Sequence, residues 1–164
     1  LEKFYENDAT LFDYKSDESA VGERCMMFHI GWYMKDKLKE TSVLKMADLD
    51  CEYNRNFNHP KGLYDETYEL VRRIVPDLII HKRGRNDNNC VVIEFKKGTP
   101  DNNARKSDEE KLVYMTSEDG VYRFKFGFYV ELHRKKAQVH VYEYGKEMSC
   151  MFYTWVPQGT NEGE

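Results

Sequence analysis

The chain has 164 residues, of which 40% are hydrophobic and 33% charged, and its formal net charge is −4. This length and balance are typical of one globular domain and exclude a disordered chain. No apolar run approaches the about 20 residues that cross a bilayer, and no basic segment with a following apolar stretch opens the chain as a secretion signal would. The negative charge argues mildly against a dedicated DNA-binding module, because phosphate contacts make such modules basic. We expect a single domain over residues 1–156 and a flexible polar tail over residues 157–164.

The four cysteines do not have the pattern of a metal site. Cys25, Cys51, Cys90 and Cys150 form no CxxC pair, and no set of cysteines and histidines has zinc-ligand spacing. Three of the four lie in apolar or strand-like stretches. The pattern predicts reduced thiols packed inside a cytoplasmic protein.

The N-terminal part of the chain is predicted to be helical. The first dozen residues mix apolar and charged side chains and could form a short helix packed on the domain. Further on, Val21, Cys25, Phe28 and Trp32 recur at the spacing of one helical face. Candidate N-cap residues precede this segment, and lysines crowd its far end, where cations suit the helix dipole. We therefore expect one helix over residues 19–39, with these four side chains on its apolar face.

Alternating or β-rich runs predict five strands. They cover residues 49–53, 73–82, 90–97, 124–132 and 138–144. The second strand is interrupted by Pro76, and it forms a hairpin with the third around a turn rich in Gly, Asn and Asp. Residues 54–62 have loop composition, residues 64–70 could form a helical turn, and residues 100–117 become helix-like. The order helix, strand, hairpin, helix, strand, strand predicts an α/β or α+β fold with helices on the faces of a sheet.

The residues that suggest chemistry lie on the predicted hairpin. Asp77 follows Pro76 on one strand, and Glu94 and Lys96 lie on the next, where their spacing of two puts both on one face. The hairpin turn can bring Asp77 close to Glu94. Two neighbouring carboxylates offer oxygen ligands to Mg²⁺ or Mn²⁺, and a lysine beside them can orient a water or stabilise charge on a phosphate. The alternative is an ordinary hairpin with polar ends.

Pro76-Asp77 followed by Glu94-Phe95-Lys96 resembles the motif of the PD-(D/E)xK nuclease superfamily. The resemblance extends to the order of elements over about residues 19–144. It implies a central mixed β-sheet flanked by helices, with the restriction-endonuclease-like αβββαβ core.

The resemblance also implies roles for individual residues. Asp77 and Glu94 would be metal ligands and Lys96 the catalytic lysine, and the main-chain carbonyl of Phe95 would also coordinate the metal. Glu23 is the candidate for the glutamate that many members carry on the first helix.

Other charged residues are open to two interpretations. Glu52 is a weaker metal-ligand candidate, because Asp50 and Glu52 could face the same site or could form a salt-bridged sheet edge. Four basic residues could form a nucleic-acid-binding rim or could be a solvated surface. These residues are Lys82, Arg83, Lys97 and Lys111.

The resemblance implies a metal-dependent nuclease that hydrolyses phosphodiester bonds, with DNA the first expectation and RNA not excluded. Mg²⁺ or Mn²⁺ would be the cofactor. The rival is a catalytically inactive domain of the same fold that serves as a nucleic-acid- or protein-binding module. Nucleases of this fold often form homodimers, and the aromatic run over residues 124–129 could lie in a core or in such an interface.

Overall fold

A mixed six-stranded sheet with helices on both faces forms the centre of the structure. The structure is a computed structural model that describes residues 1–13, 21–41, 44 and 46–156. Its helices are α1 (Glu2–Asp8), α2 (Glu23–Glu40) and α3 (Asn102–Thr116), and a 3₁₀ turn (Ala9–Phe12) follows α1. Its strands are β1 (Asp48–Cys51), β2 (Arg55–Asn56), β3 (His59–Pro60), β4 (Gly62–Tyr64), β5 (Leu70–Arg73), β6 (Leu78–His81), β7 (Val91–Lys97), β8 (Phe126–His133), β9 (Lys136–Glu143) and β10 (Lys146–Thr154).

The main sheet has the strand order β1-β6-β7-β8-β9-β10. Strands β7 and β8 are parallel, and every other neighbouring pair in this sheet is antiparallel. A parallel pair needs a crossover connection, and α3 supplies it over one face of the sheet. The predicted α/β class and the predicted β6–β7 hairpin are both confirmed, with Leu78 opposite Ile93.

Alternation along β6 and β7 divides the core between the two faces. Leu78, Ile93 and Phe95 pack with α1 and α2, whereas Ile79 and Val92 pack with α3. Because side chains alternate along a strand, every second residue of β7 after Val92 points towards α3. Residues 94 and 96 therefore lie under α3.

The buried face of α2 differs from the prediction. Phe28 and Trp32 are 57% and 62% exposed, and Cys25 is exposed as well, whereas Met26, Met27 and Ile30 are buried. The helix carries a second apolar stripe at helical spacing, and this stripe faces the sheet. Gly31 explains why this stripe is the buried one. A Cβ atom there would lie 3.0 Å from Leu78 Cδ1, so the helix approaches β6 closely on the side of this glycine. Residues 19 and 20 of the predicted helix lie outside the described residues.

The segment between β1 and β6 is more regular than predicted. It forms two small two-stranded sheets, β2–β3 and β4–β5, in place of the predicted loop. The helical turn considered for residues 64–70 does not form. Asp65 Oδ1 instead accepts hydrogen bonds from the backbone amides of Thr67 and Glu69, both at 2.9 Å, and closes a β-turn-like connection.

Three further expectations are corrected or lie beyond the description. β10 is a nine-residue strand where no strand was predicted. The cysteines are not packed thiols, because Cys25, Cys51 and Cys150 are exposed and Cys90 is half-buried. The tail predicted over residues 157–164 lies outside the described residues.

No helix in the described part of the chain has the length and apolar character needed to cross a membrane.

Candidate active site

Asp77 and Glu94 come together at the start of β6. Asp77 directly precedes β6, and the pairing of Leu78 with Ile93 brings it to the level of Glu94 on β7. Asp77 Oδ2 accepts a 2.7 Å hydrogen bond from the backbone amide of Phe95. The carbonyl of a strand residue points to the same side as its amide, so the Phe95 carbonyl also faces the β6 side of β7. Burial raises the pKa of Asp77, while the Phe95 amide and Lys111 oppose the rise.

Glu94 is the most deeply buried charged side chain of the site, with 1% exposure. Its Oε2 accepts a 2.7 Å hydrogen bond from Lys111 Nζ, and its Oε1 is buried without a hydrogen-bond partner among the described residues. Burial raises the pKa of Glu94 well above its ordinary value; Lys111 opposes this effect, and Asp77 and Asp108 add to it. A buried polar atom without a partner costs about 1–3 kcal/mol, so this oxygen is poised to accept a donor or a cation.

Helix α3 adds a carboxylate and an ammonium group above β7. Asp108 lies 2.9 Å through Oδ2 from Lys96 Nζ and 3.0 Å through Oδ1 from Lys111 Nζ. The helix begins at a true N-cap, since Asp101 Oδ1 accepts from the amides of Asn103 and Ala104, both at 2.9 Å. Partial burial acts to lower the pKa of Lys96, but the close ion pair with Asp108 outweighs it and raises that pKa.

Glu23 and Lys97 border the site where α2 begins. Glu23 Oε1 accepts a 3.0 Å hydrogen bond from the backbone amide of Lys97, and its Oε2 lies 3.7 Å from Lys96 Nζ. Lys97 Nζ donates to the carbonyl of Val21 at 3.0 Å. Glu23 is thus within reach of the catalytic-lysine candidate, and the Lys97 ammonium is bound to the backbone ahead of α2.

Glu52 does not direct its side chain into the site. Its amide donates to the Asp77 carbonyl at 2.9 Å, but its carboxylate pairs with Arg24 at 2.5 Å on the surface. Asp50 pairs with His81 and Arg83, so of its two interpretations the salt-bridged edge is the one observed, and β1 is indeed an edge strand.

Lys82 and Arg83 lie at the far end of β6. That strand has four residues and spans about 13 Å, so the two side chains are remote from Asp77. Lys82 donates to the carbonyl of Met46 at 3.2 Å, and Arg83 pairs with Asp50. The structure therefore does not bring them together with Glu94.

A nucleic-acid-binding rim requires exposed residues, but Lys111 is not one of them. Its side chain is 12% exposed and lies inside the site. Asp108 was missed by the sequence analysis. A signal did exist, because Asp108 shares a helical face with Leu112 and Met115, which are fully buried. A carboxylate on the buried face of an amphipathic helix needs a partner, and Lys111 three residues later supplies one.

The donor atoms of the site are all oxygens, which suits a hard divalent cation. Among the described residues no group of three or more His, Cys, Asp and Glu side chains has the arrangement of a metal cluster. Mg²⁺, however, commonly uses only one or two carboxylates. Glu94 with its unpartnered Oε1, Asp77 and the Phe95 carbonyl fit that sparser ligand set.

Comparison with known proteins gives no relative. No protein-family model matches the chain, and no curated protein and no solved structure matches it either. The chemistry of the site itself is therefore the basis for any functional assignment.

Proposed function

We propose that the protein is a metal-dependent nuclease of the PD-(D/E)xK type that hydrolyses phosphodiester bonds, with DNA as the expected substrate. The observation that carries this proposal is the buried carboxylate of Glu94, whose Oε1 has no partner among the described residues and which lies beside Asp77. Lys96 lies two residues on along the same strand face. An ordinary hairpin has no reason to bury an incompletely paired carboxylate.

The order of elements supports the proposal. Helix α2, strands β1, β6 and β7, helix α3 and strand β8 follow each other as helix, three strands, helix and strand. This is the αβββαβ order of the restriction-endonuclease-like core that the motif implies. The small strands β2 to β5 are then an insertion between the first two core strands, and β9 and β10 extend the sheet.

Asp77, Glu94 and the Phe95 carbonyl would hold Mg²⁺ or Mn²⁺. Such an ion supplies Lewis-acid polarisation of the phosphoryl oxygen and lowers the pKa of a bound water. Lys96 has a partly exposed ammonium group held by Asp108, and it would orient the attacking water or stabilise the charge that builds on the phosphate.

Lys111 would tune the affinity of the site for the cation. It already donates a hydrogen bond to Glu94 Oε2, so a divalent ion must compete with this ammonium for the carboxylate. Asp108 accepts a hydrogen bond from Lys111 and forms an ion pair with Lys96, and so keeps the two ammonium groups in place. Glu23 would assist from the border of the site, where it approaches Lys96.

The direct test is a cleavage assay on single-stranded, duplex and branched DNA and on RNA, with Mg²⁺ or Mn²⁺. Glu94→Gln and Lys96→Met should each reduce the cleavage rate by about 100-fold or more, which is the scale for removing one group that stabilises transition-state charge. Lys106→Met is the matched control, because Lys106 lies on α3 with an exposed ammonium group. Wild-type rates in both folded site variants would refute the proposal.

A second candidate is the inactive binding module of the same fold. It is favoured by the ion pairs Lys111–Glu94 and Lys96–Asp108, which already give the carboxylates of Glu94 and Asp108 a cationic partner each. This candidate predicts retained nucleic-acid or protein binding, no cleavage with either metal, and no heat of Mn²⁺ binding in calorimetry at millimolar concentration.

A further inference from the structure

A second polar cluster lies on the same sheet face as Glu94, at the β10 end of the sheet. Glu94 is paired with Tyr129 on β8, Tyr129 with His140 on β9, and His140 with Cys150 on β10. Neighbouring strands are about 4.8 Å apart, so three strand spacings, or about 14 Å, separate Cys150 from Glu94. The two clusters are distinct in space, and chemistry at Cys150 does not depend on the proposed nuclease function.

His140 is the buried centre of this cluster, with 5% exposure. Its Nδ1 lies 2.7 Å from Glu147 Oε1, and its Nε2 lies 2.9 Å from Gln138 Nε2 and 3.1 Å from a guanidinium nitrogen of Arg105. The Gln138 amide nitrogen and the guanidinium can only donate, so Nε2 is the acceptor and Nδ1 donates its proton to Glu147.

The thiol of Cys150 completes a nucleophile, base and carboxylate arrangement. Cys150 is exposed, and its Sγ lies 3.7 Å from His140 Nε2. Gln138 Nε2 donates to the same sulfur at 3.3 Å. A thiol that faces an imidazole acceptor, with the imidazole oriented by a carboxylate, has the geometry of an activated nucleophile.

Groups of α3 and β8 also surround His140. From α3, Arg105 also contacts Glu109 at 2.8 Å and Glu131 of β8 at 3.2 Å. The Tyr129 ring of β8 packs edge-on against the imidazole with a centroid separation of 6.0 Å, and its hydroxyl is buried without a partner in the described part of the chain.

We propose that Cys150 is a reactive thiol that hydroperoxides oxidise to a sulfenic acid, with His140 as the base and Glu147 as its positioning residue. The thiol proton passes to His140 Nε2, and the sulfur attacks the distal peroxide oxygen. An S–O bond forms as the O–O bond breaks, and the departing hydroxide or alkoxide takes the proton from His140. The sulfur loses two electrons and the peroxide gains them, which yields Cys–SOH and water or an alcohol.

The other exposed cysteines serve as internal references. Among the described residues no hydrogen bond joins the Sγ atom of Cys25 or Cys51 to an imidazole, although His29 lies one turn of α2 after Cys25. Burial raises the pKa of the Cys51 thiol, and the negative charges of Asp50, Glu52 and Asp77 raise it further. The thiolate is the reactive form of cysteine. We therefore expect Cys51 to react more slowly than Cys150, which has the base His140 beside it.

The test exposes the reduced full-length chain to hydrogen peroxide, traps sulfenic acid with dimedone and measures labelling of each cysteine by mass spectrometry. Cys150 should be labelled at least about tenfold faster than Cys25 or Cys51. Glu147→Gln and His140→Ala should bring Cys150 down to the rate of Cys25, and added imidazole should restore part of the rate in His140→Ala.

The matched control is Glu143→Gln on β9, which should leave the rate unchanged. Equal labelling of Cys150 and Cys25 in the wild-type chain would overturn the proposal. An unchanged labelling rate in Glu147→Gln would also overturn the proposal. The Glu147 side chain is partly exposed and can be replaced without disturbing the core. This variant therefore decides the test if His140→Ala does not fold. A loss in His140→Ala that imidazole does not restore would assign His140 a structural role and would equally overturn it.

Discussion

Lys111 is the cation on which the buried carboxylates depend, so Lys111→Met is the sharpest test of the electrostatics of the site. Its Nζ lies 2.7 Å from Glu94 Oε2 and 3.0 Å from Asp108 Oδ1, and all three side chains are nearly buried. Removing one partner of a buried ion pair costs about 3–5 kcal/mol, because the remaining charge is left uncompensated. Methionine keeps most of the apolar volume. We therefore expect the free energy of unfolding to fall by about 3–5 kcal/mol near pH 8.

The cost should depend on pH through Glu94. Burial raises the pKa of Glu94 above its ordinary value of 4.5, and Lys111 opposes that rise, so the variant raises it further. A raised pKa in the folded state means that folding favours the protonated form. This contribution to stability is fully present below about pH 4.5 and is lost as pH rises through the folded pKa. The destabilisation by Lys111→Met should therefore be smaller near pH 5 than near pH 8.

Urea titration followed by circular dichroism at the two pH values measures both effects. Lys106→Met is the control on the same helix, since the Lys106 side chain is 76% exposed and its Nζ lies 4.0 Å from Glu110 Oε1, and it should cost no more than about 0.5 kcal/mol. The double variant Lys111→Met/Glu94→Gln should recover much of the loss. A cost below about 1 kcal/mol near pH 8, or equal costs at both pH values, would refute this reasoning.

Three further predictions concern stability. Asp101→Ala removes the N-cap of α3 and should cost about 1 kcal/mol in thermal unfolding; an unchanged melting temperature would contradict that role. Arg24→Ala breaks only an exposed pair with Glu52, so its melting temperature should match the wild type, and a clear drop would show that the pair is stronger than surface pairs are. Gly31→Ala places a Cβ atom 3.0 Å from Leu78 Cδ1, so crowding should outweigh the gain in helix propensity and cost about 1 kcal/mol or more; a stabilised variant in urea titration would contradict the close approach.

The sequence predicts the hairpin that carries the motif because its signals are local. Two apolar runs flank a turn of Gly, Asn and Asp, and spacing along one strand puts Glu94 and Lys96 on one face. The face of α2 is a different case. That helix has two apolar stripes, and only the close fit of Gly31 against β6 decides which stripe is buried.

The rest of the site depends on how distant elements cross. Asp108 and Lys111 join it because α3 passes over β7, and no local pattern fixes that crossing. The Glu52 carboxylate lies outside the site because it forms an ion pair with Arg24 of α2. Strand β10 was not predicted because nearly all its residues are exposed. It therefore lacks the alternation of buried and exposed residues that is typical of a strand.

The central claim is that Glu94 is a ligand of a divalent cation, and Mn²⁺ binding measured by electron paramagnetic resonance tests it most directly. The wild-type chain should bind Mn²⁺ at or below millimolar concentration, and Glu94→Gln should lose that binding while keeping its fold. Glu110→Gln, with its exposed carboxylate on α3, is the matched control and should bind as the wild type does. No binding by the wild-type chain at millimolar Mn²⁺, or equal affinity in Glu94→Gln, would contradict the account.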